Sequence, residues 1–390
     1  MTNPTIIILC NSFPPSISGV GRYVYNIVKH LRYKYNFVVI TMRSKNELYV
    51  KTYTVANGDK LISRNIVYFV PQASWNLPYF STLPILVRSL LLKTHSNIIH
   101  TQSIGQVHSD LASLLSFKKS IIYTIHGWRN ATSLIAQRMY ITYESIVPFF
   151  LKGADIITVL GNKSKEYICS LLKDPILCKE RVIITPNGVD FYAVRRIIES
   201  VRSRNIEKEG KNVLFVGRLV RTKGLIELLL AFKMLTKIDR EIKLLIVGNG
   251  PLSSFVMSFI SRHDLRNRVE FAEGVLPWEK VILEYYSRAD VFVLPSYSEG
   301  LPTVLLEAMA TGVPVVTTPV GDITDIVRHG ETGILVKPGN IKMLAEAILT
   351  ILQDKSLRKE IVSNALNTVR NYDWKVIANI FDNVYNRMIE

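Results

Sequence analysis

Two carboxylates, Glu299 and Glu307, stand eight residues apart in the stretch ADVFVLPSYSEGLPTVLLEAMATGVPVVTTP, residues 289–319. An ionised carboxylate only accepts hydrogen bonds, so such a pair suits vicinal hydroxyls rather than phosphates. Two cations, Arg218 and Lys223, flank the loop of GRLVRTKG, residues 217–224. Arginine forks onto two oxygens and lysine supplies a point charge, a combination that suits a diphosphate. One histidine, His126, closes the apolar run IIYTIHG. A neutral imidazole donates one hydrogen bond, accepts one, and changes charge near pH 7. Each of these has a plainer reading. Glu299 caps a helix, Glu307 lies on a solvated face, Arg218 and Lys223 are surface charges, and His126 is structural.

The flanking elements decide where these side chains stand. Val291–Leu294 is a short apolar run that stops at Pro295, the pattern of a buried strand. A polar turn, Ser296–Gly300, follows. Pro302 fits a first helical position, since its fixed φ and missing N–H cost nothing there. Leu305, Leu306 and Met309 recur at helical spacing, Gly312 fits a C-cap, and Val313, Val315 and Val316 begin another strand. Strand, turn, helix and strand in that order build a parallel sheet. Ligands of such sheets bind at the strands' C-terminal ends. The first turn of the helix, near Thr303 and Val304, has free N–H groups and the positive end of the dipole, which favour a phosphate.

The same pattern runs along the chain. Thr5–Cys10, Phe37–Thr41, Ile66–Val70, Ile98–His100, Ile121–Ile125, Ala154–Val159 and Val182–Thr185 read as strands of one sheet. Asn212–Val216, Lys243–Val247, Val269–Phe271 and Val291–Leu294 read as strands of another. A helix is expected over Arg22–Leu31, after the turn-rich loop NSFPPSISGVG. Gly19 and Gly21 in that loop let backbone approach an anion closely, although an ordinary tight turn explains them as well. Val24 stands where a third glycine would complete a dinucleotide fingerprint, so that reading is disfavoured.

The context SEGLPTVLLEAMATGVPVV, together with GRL…KG and the PNGVD turn at 186–190, resembles the retaining, GT-B fold glycosyltransferases of family 4, also called group 1. The resemblance spans nearly the whole chain. It implies an α/β architecture of two Rossmann-like, doubly wound parallel-sheet domains facing a cleft. An acceptor-binding domain would cover residues 1–188 and a nucleotide-sugar-binding domain 189–372. A helix over 373–390 would return to the first domain, with Trp374, Ile377, Ile380 and Phe381 on its core face. The implied reaction moves a hexose from a UDP-, GDP- or ADP-sugar to a glycan or lipid-linked acceptor, with retention of configuration. Glu299 and the amides of Gly300 and Leu301 would hold the donor sugar, and Glu307 the ribose. Arg218, Lys223, Thr303 and Val304 would face the diphosphate, with Gly19 opposite. The loop through Leu276 would border the base, and His126 would contact the donor sugar or acceptor. His100 and His108 lack such a match and are read as structural. No Asp-x-Asp occurs, so no metal and no cofactor is expected, the nucleotide sugar being the co-substrate. A GT-B phosphorylase, a nucleotide-sugar epimerase or a non-catalytic binding subunit are the alternatives on this fold.

Composition bounds the rest. At 390 residues, 48% hydrophobic and 21% charged, the chain has the length of two globular domains. Three cysteines without metal-like spacing point to a reduced compartment and away from a disulfide framework. The N-terminal run is too short for a signal peptide and no run spans a bilayer, so a cytoplasmic protein is expected. The first 190 residues carry 21 Lys and Arg against 9 Asp and Glu; the remaining 200 carry 27 against 23. That imbalance fits a contact with an anionic membrane face or acceptor, or simply a soluble basic surface. Residues 75–93, WNLPYFSTLPILVRSLLLK, read either as an interfacial membrane segment or as a helix packed on the sheet. No nucleic-acid motif is present.

Overall fold

The computed structural model describes residues 3–10, 12–13, 18–43, 49–57, 60–71, 98–102, 119–127, 147–202, 211–274 and 276–389. The interfacial reading of residues 75–93 and the structural reading of His108 lie outside them. The chain divides into two compact units, Met1–Asn187 with Trp374–Glu390, and Gly188–Asp373.

The first unit is an eight-stranded sheet. Its strands are β1 (Thr5–Cys10), β2 (Asn36–Arg43), β3 (Tyr49–Asn57), β4 (Lys60–Pro71), β5 (Ile98–Gln102), β6 (Ser120–Ile125), β7 (Ile156–Val159) and β8 (Val182–Ile184). They lie in the order β3-β4-β2-β1-β5-β6-β7-β8. All neighbours are parallel except β3, which folds back antiparallel on β4 at the edge. Chain order reverses between β1 and β5, the topological switch point of a doubly wound sheet. Ile6, Ile7, Ile8 and Leu9 have no exposed surface, as expected of a strand covered on both faces. β3 was not anticipated. Its alternation YVKTYTVAN is half polar, so it lacks the continuous apolar run that marks the buried strands.

The helix after β1 begins at Gly19 rather than Arg22 and runs to Leu31. Ser18 caps it, its hydroxyl accepting from the Gly21 N–H at 2.9 Å. A serine N-cap satisfies an orphan donor and draws the start of the helix back to itself. Gly19 is therefore its first residue, exposed and with open space around it. The close approach falls instead on Gly21, where a Cβ would stand 3.1 Å from the Ser12 carbonyl oxygen.

The last helix, Trp374–Ile389, belongs to this first unit. Trp374, Ile377 and Phe381 are buried and Ile380 half-buried, on the face the spacing anticipated. Tyr23 meets Trp374 and Phe381 edge to face, at 5.6 and 5.8 Å between centroids. Tyr35 donates to Asp382 at 2.8 Å, and Lys34 pairs with the same carboxylate. Cys169 and Cys178 form a disulfide, with Cα atoms 5.2 Å apart. This corrects the expectation from spacing. The helices Asn162–Leu172 and Pro175–Arg181 fold back on one another, a geometry that a nine-residue separation does not disclose.

The second unit is an all-parallel sheet of six strands. These are β9 (Lys211–Val216), β10 (Ile242–Gly248), β11 (Val269–Glu273), β12 (Val291–Leu294), β13 (Val315–Thr317) and β14 (Ile334–Leu335), in the order β11-β10-β9-β12-β13-β14. The switch point lies between β9 and β12. The helix Phe191–Arg202 opens the unit and buries Val194 and Ile198. It is thus a packed element of the unit. Val189 bridges Asp373, whose carboxylate accepts from the Phe191 N–H at 3.0 Å. Those bonds bring the first and last residues of the unit together.

Candidate active site

The loops that leave β9, β10, β12 and β13 at their carboxyl ends are tied to one another by backbone bonds. Leu219 donates to Asn249 and Leu252 to Leu219, at 2.9 and 3.0 Å. Tyr297 donates to Thr222 at 2.8 Å and Asp322 to Gly300 at 3.1 Å. The Thr318 hydroxyl donates to the Ser296 carbonyl at 2.6 Å. Glycine makes two of these approaches possible. At Gly224 (φ +68°) a Cβ would stand 2.0 Å from the Pro295 carbonyl oxygen. At Gly321 (φ +55°) it would stand 2.0 Å from the Glu299 carbonyl oxygen. Only glycine fits a left-handed backbone pressed against another chain segment in this way.

This frame holds Lys223 against Glu299. The ammonium donates to both carboxylate oxygens, at 2.5 and 2.7 Å, and the Ser296 hydroxyl adds a third bond to Oε1 at 2.7 Å. Glu299 is 7% and Lys223 16% exposed at the side chain. Glu299 is therefore an ion-pair partner, and the helix behind it is capped otherwise. Its N-cap is Pro302, with no side-chain bond, and its first residue is Thr303. Pro302 stands one position earlier than expected because its ψ of 125° is extended, not helical. Gly312 closes the helix with φ +78°, as its C-cap spacing required.

Glu307 sits in the second turn of that helix and is 3% exposed, so it does not lie on a solvated face. The Tyr286 hydroxyl reaches its Oε2 at 3.3 Å and the Val304 carbonyl at 3.0 Å. Arg218 follows β9 and is exposed, with no side-chain partner among the described residues. Leu301 is buried; Gly300, Thr303, Val304 and Leu276 are half-buried. The structure thus brings Lys223, Glu299 and Ser296 into direct contact and leaves Arg218 free at the same sheet edge. The sequence reading gave no role to Tyr286, Ser296, Gly224 or Gly321. For Gly224 a signal existed, a glycine placed directly before a helical run.

In the first unit His126 follows β6. Its Nε2 lies 2.6 Å from Oε1 of Gln102, the last residue of β5. Gln102 Nε2 lies 3.0 Å from His100 Nε2, which is also 2.6 Å from the Thr124 hydroxyl. His100 Nδ1 lies 2.8 Å from the hydroxyl of Tyr385. Tyr23 packs edge-on to the His126 ring at 4.7 Å. Burial, with a smaller contribution from His126, pushes the His100 imidazole down to about 3. Desolvation also pushes His126 well below the usual histidine range. His126 is thus no isolated residue. It ends a buried polar chain that also contains His100, and Gln102 is the link the sequence reading omitted.

Two family models match, together spanning most of the chain: Glycosyltransferase Family 4 over residues 17–191 and Glycosyl transferases group 1 over residues 197–368. The chain belongs to this family of glycosyltransferases. An uncharacterized glycosyltransferase of Methanocaldococcus jannaschii is 32% identical over 64% of this chain and 62% of its own length. The capsular polysaccharide biosynthesis glycosyltransferase CapM of Staphylococcus aureus is 27% identical over 85% of this chain and 87% of its own. Among solved structures, Anabaena HepE in complex with UDP superposes with a TM-score of 0.75 at 19% identity, over 98% of this chain and all of that one. The fold is accordingly GT-B. Among the described residues, no helix is long and apolar enough to cross a membrane.

Proposed function

We propose that this glycosyltransferase moves a hexose from a nucleotide-diphosphate sugar to a glycan or lipid-linked acceptor, with retention of configuration and without a metal. The observation that carries the reading is the Lys223–Glu299 pair, held by Ser296 at the carboxyl edge of β9 and β12. A lysine has three donors, and two of them are on Glu299. The third is left for a phosphate oxygen. Glu299 in turn keeps one acceptor position for a sugar hydroxyl. One pair therefore joins the sugar end of a donor to its diphosphate.

Arg218 supplies the unpaired charge. With Lys223 and the N–H groups near Thr303 and Val304, it would stabilise the departing diphosphate in place of a metal. Gly300 and Leu301 lie beside the sugar, Leu276 beside the base, and Glu307, oriented by Tyr286, takes the ribose hydroxyls. In the first unit, Gly19 would face a phosphate through its backbone and His126 a hydroxyl of the sugar or acceptor. Retention fits this arrangement without a covalent intermediate. A carboxylate already bonded to an ammonium and a hydroxyl is a poor nucleophile, which favours departure and attack on one face. UDP is the nucleotide bound by the structurally similar HepE, and it heads the list of donors to test.

The test is a thermal-shift panel of UDP-, GDP- and ADP-sugars, with and without EDTA, on wild type and Lys223→Ala. A ligand at about a hundred times its dissociation constant adds roughly 2.7 kcal/mol of stability. One nucleotide series is expected to stabilise the wild type alike with and without EDTA, and the variant far less. Stabilisation by none of them overturns the proposal. The basic excess of the first 190 residues supports an acceptor at an anionic membrane face. Flotation with anionic vesicles at low salt is expected to carry the protein up. Protein left at the bottom of the gradient removes the membrane from the proposal.

A further inference from the structure

The chain from His126 to Tyr385 fixes more than the position of a ring. An amide oxygen can only accept and an amide NH2 can only donate. His126 Nε2 faces the oxygen of Gln102, so that nitrogen carries the proton. His100 Nε2 faces the NH2 of the same amide, so that nitrogen carries the lone pair. His100 is neutral, and its single N–H is therefore on Nδ1, directed at the Tyr385 oxygen. The Thr124 hydroxyl, 2.6 Å from His100 Nε2 and 2.6 Å from the Thr158 hydroxyl, can donate or accept, so the tautomer rests on the amide. In this amide orientation a single glutamine calls for opposite tautomers on the two histidines.

We propose that Gln102 is a positioning residue that holds His126 in the tautomer with a bare Nδ1, and that His100 and Tyr385 hold Gln102 in turn. Three elements contribute. β5 supplies His100 and Gln102 on one face, two residues apart. β6 leads into His126, and the last helix supplies Tyr385. The consequence is chemical. With Nε2 committed to Gln102, His126 offers an acceptor and no second donor, so it accepts a hydrogen bond from an incoming hydroxyl rather than donating one. The opposite tautomer would present an N–H to that hydroxyl and would suit a sugar oxygen as acceptor. This part of the inference rests on the function proposed above; the tautomers themselves do not.

Long-range nitrogen–proton spectra of protein labelled with 15N-histidine test both parts. The chain has seven histidines, and the two resonances are assigned by their loss in His100→Asn and His126→Asn. At pH 7 the wild type is expected to show His126 protonated on Nε2 and His100 on Nδ1. In Gln102→Met both lose their single tautomer. In the same variant kcat falls about tenfold or more, while the KM for the donor nucleotide sugar stays close to that of wild type. Reversed tautomers in the wild type, or an unchanged His126 spectrum in a folded Gln102→Met, overturn the proposal. If Gln102→Met does not fold, the wild-type spectrum decides alone. That spectrum needs no substrate, so it stands or falls separately from sugar transfer.

Discussion

The two charged constellations illustrate how burial alters the meaning of a residue. Lys223 and Glu299 are 16% and 7% exposed and compensate each other, whereas Arg218 is exposed and uncompensated. A diphosphate would therefore meet Arg218 as an unpaired charge and Lys223 as half of a dipole. Electrostatics also predicts an acid-sensitive fold. Above pH 6.5 His100 is neutral in both folded and unfolded chains and adds no pH dependence. Below pH 6.5 the unfolded chain binds a proton that the folded imidazole, held down to about 3, refuses. Stability is thus expected to fall between pH 6.5 and about 3, with the steepest loss in the middle of that range. Thermal unfolding followed across that range checks it, and His100→Asn is expected to flatten the slope.

At the scale of elements, most of the sheet was legible. Strands buried on both faces spell themselves as apolar runs, so TIIILC, SIIYTI, IITV and VFVL were found almost to the residue. The misses share a cause, which is that partners distant in sequence decide them. β3 exists because β4 offers it an edge. The start of the first helix is set by one serine hydroxyl. Gln102 reads as an ordinary polar residue at a strand end until β6 places His126 beside it. The site was legible in its charges and not in its scaffold, because the close approaches at Gly224 and Gly321 depend on loops distant in sequence. Gly321→Ala tests that scaffold. A Cβ only 2.0 Å from the Glu299 carbonyl oxygen forces the β12 and β13 loops apart. A loss of roughly 1–3 kcal/mol is expected, with weakened nucleotide-sugar stabilisation beyond what the lost stability explains. Unchanged thermal shifts in both would show that the loop relaxes freely.

At the scale of the molecule the two sheets differ in how they are closed. Each is a doubly wound α/β layer with its own core, but the first is completed by a helix from the far end of the chain. Phe381 is fully buried there, against Tyr23, His100 and Tyr385. Phe381→Ala is expected to cost about 3–5 kcal/mol, and to cost it in the first unit alone. Calorimetry should then resolve two transitions, with the one that nucleotide sugar shifts left in place. A single transition moving as a whole would show that the units unfold together.

That closing helix also orders events during synthesis. Lys34 and Tyr35 wait for Asp382, and Tyr23 for Trp374, across some 350 residues of chain. The unit Gly188–Asp373 is one continuous stretch of chain, and domains generally fold as the ribosome releases them. The segment translated second can therefore finish first. The segment translated first stays open along the groove that Tyr23, Tyr35 and His100 line until the final helix emerges. A ribosome that stalls after residue 373 would release one finished half and one exposed sheet, making the earliest-translated part of the protein the part most dependent on chaperones.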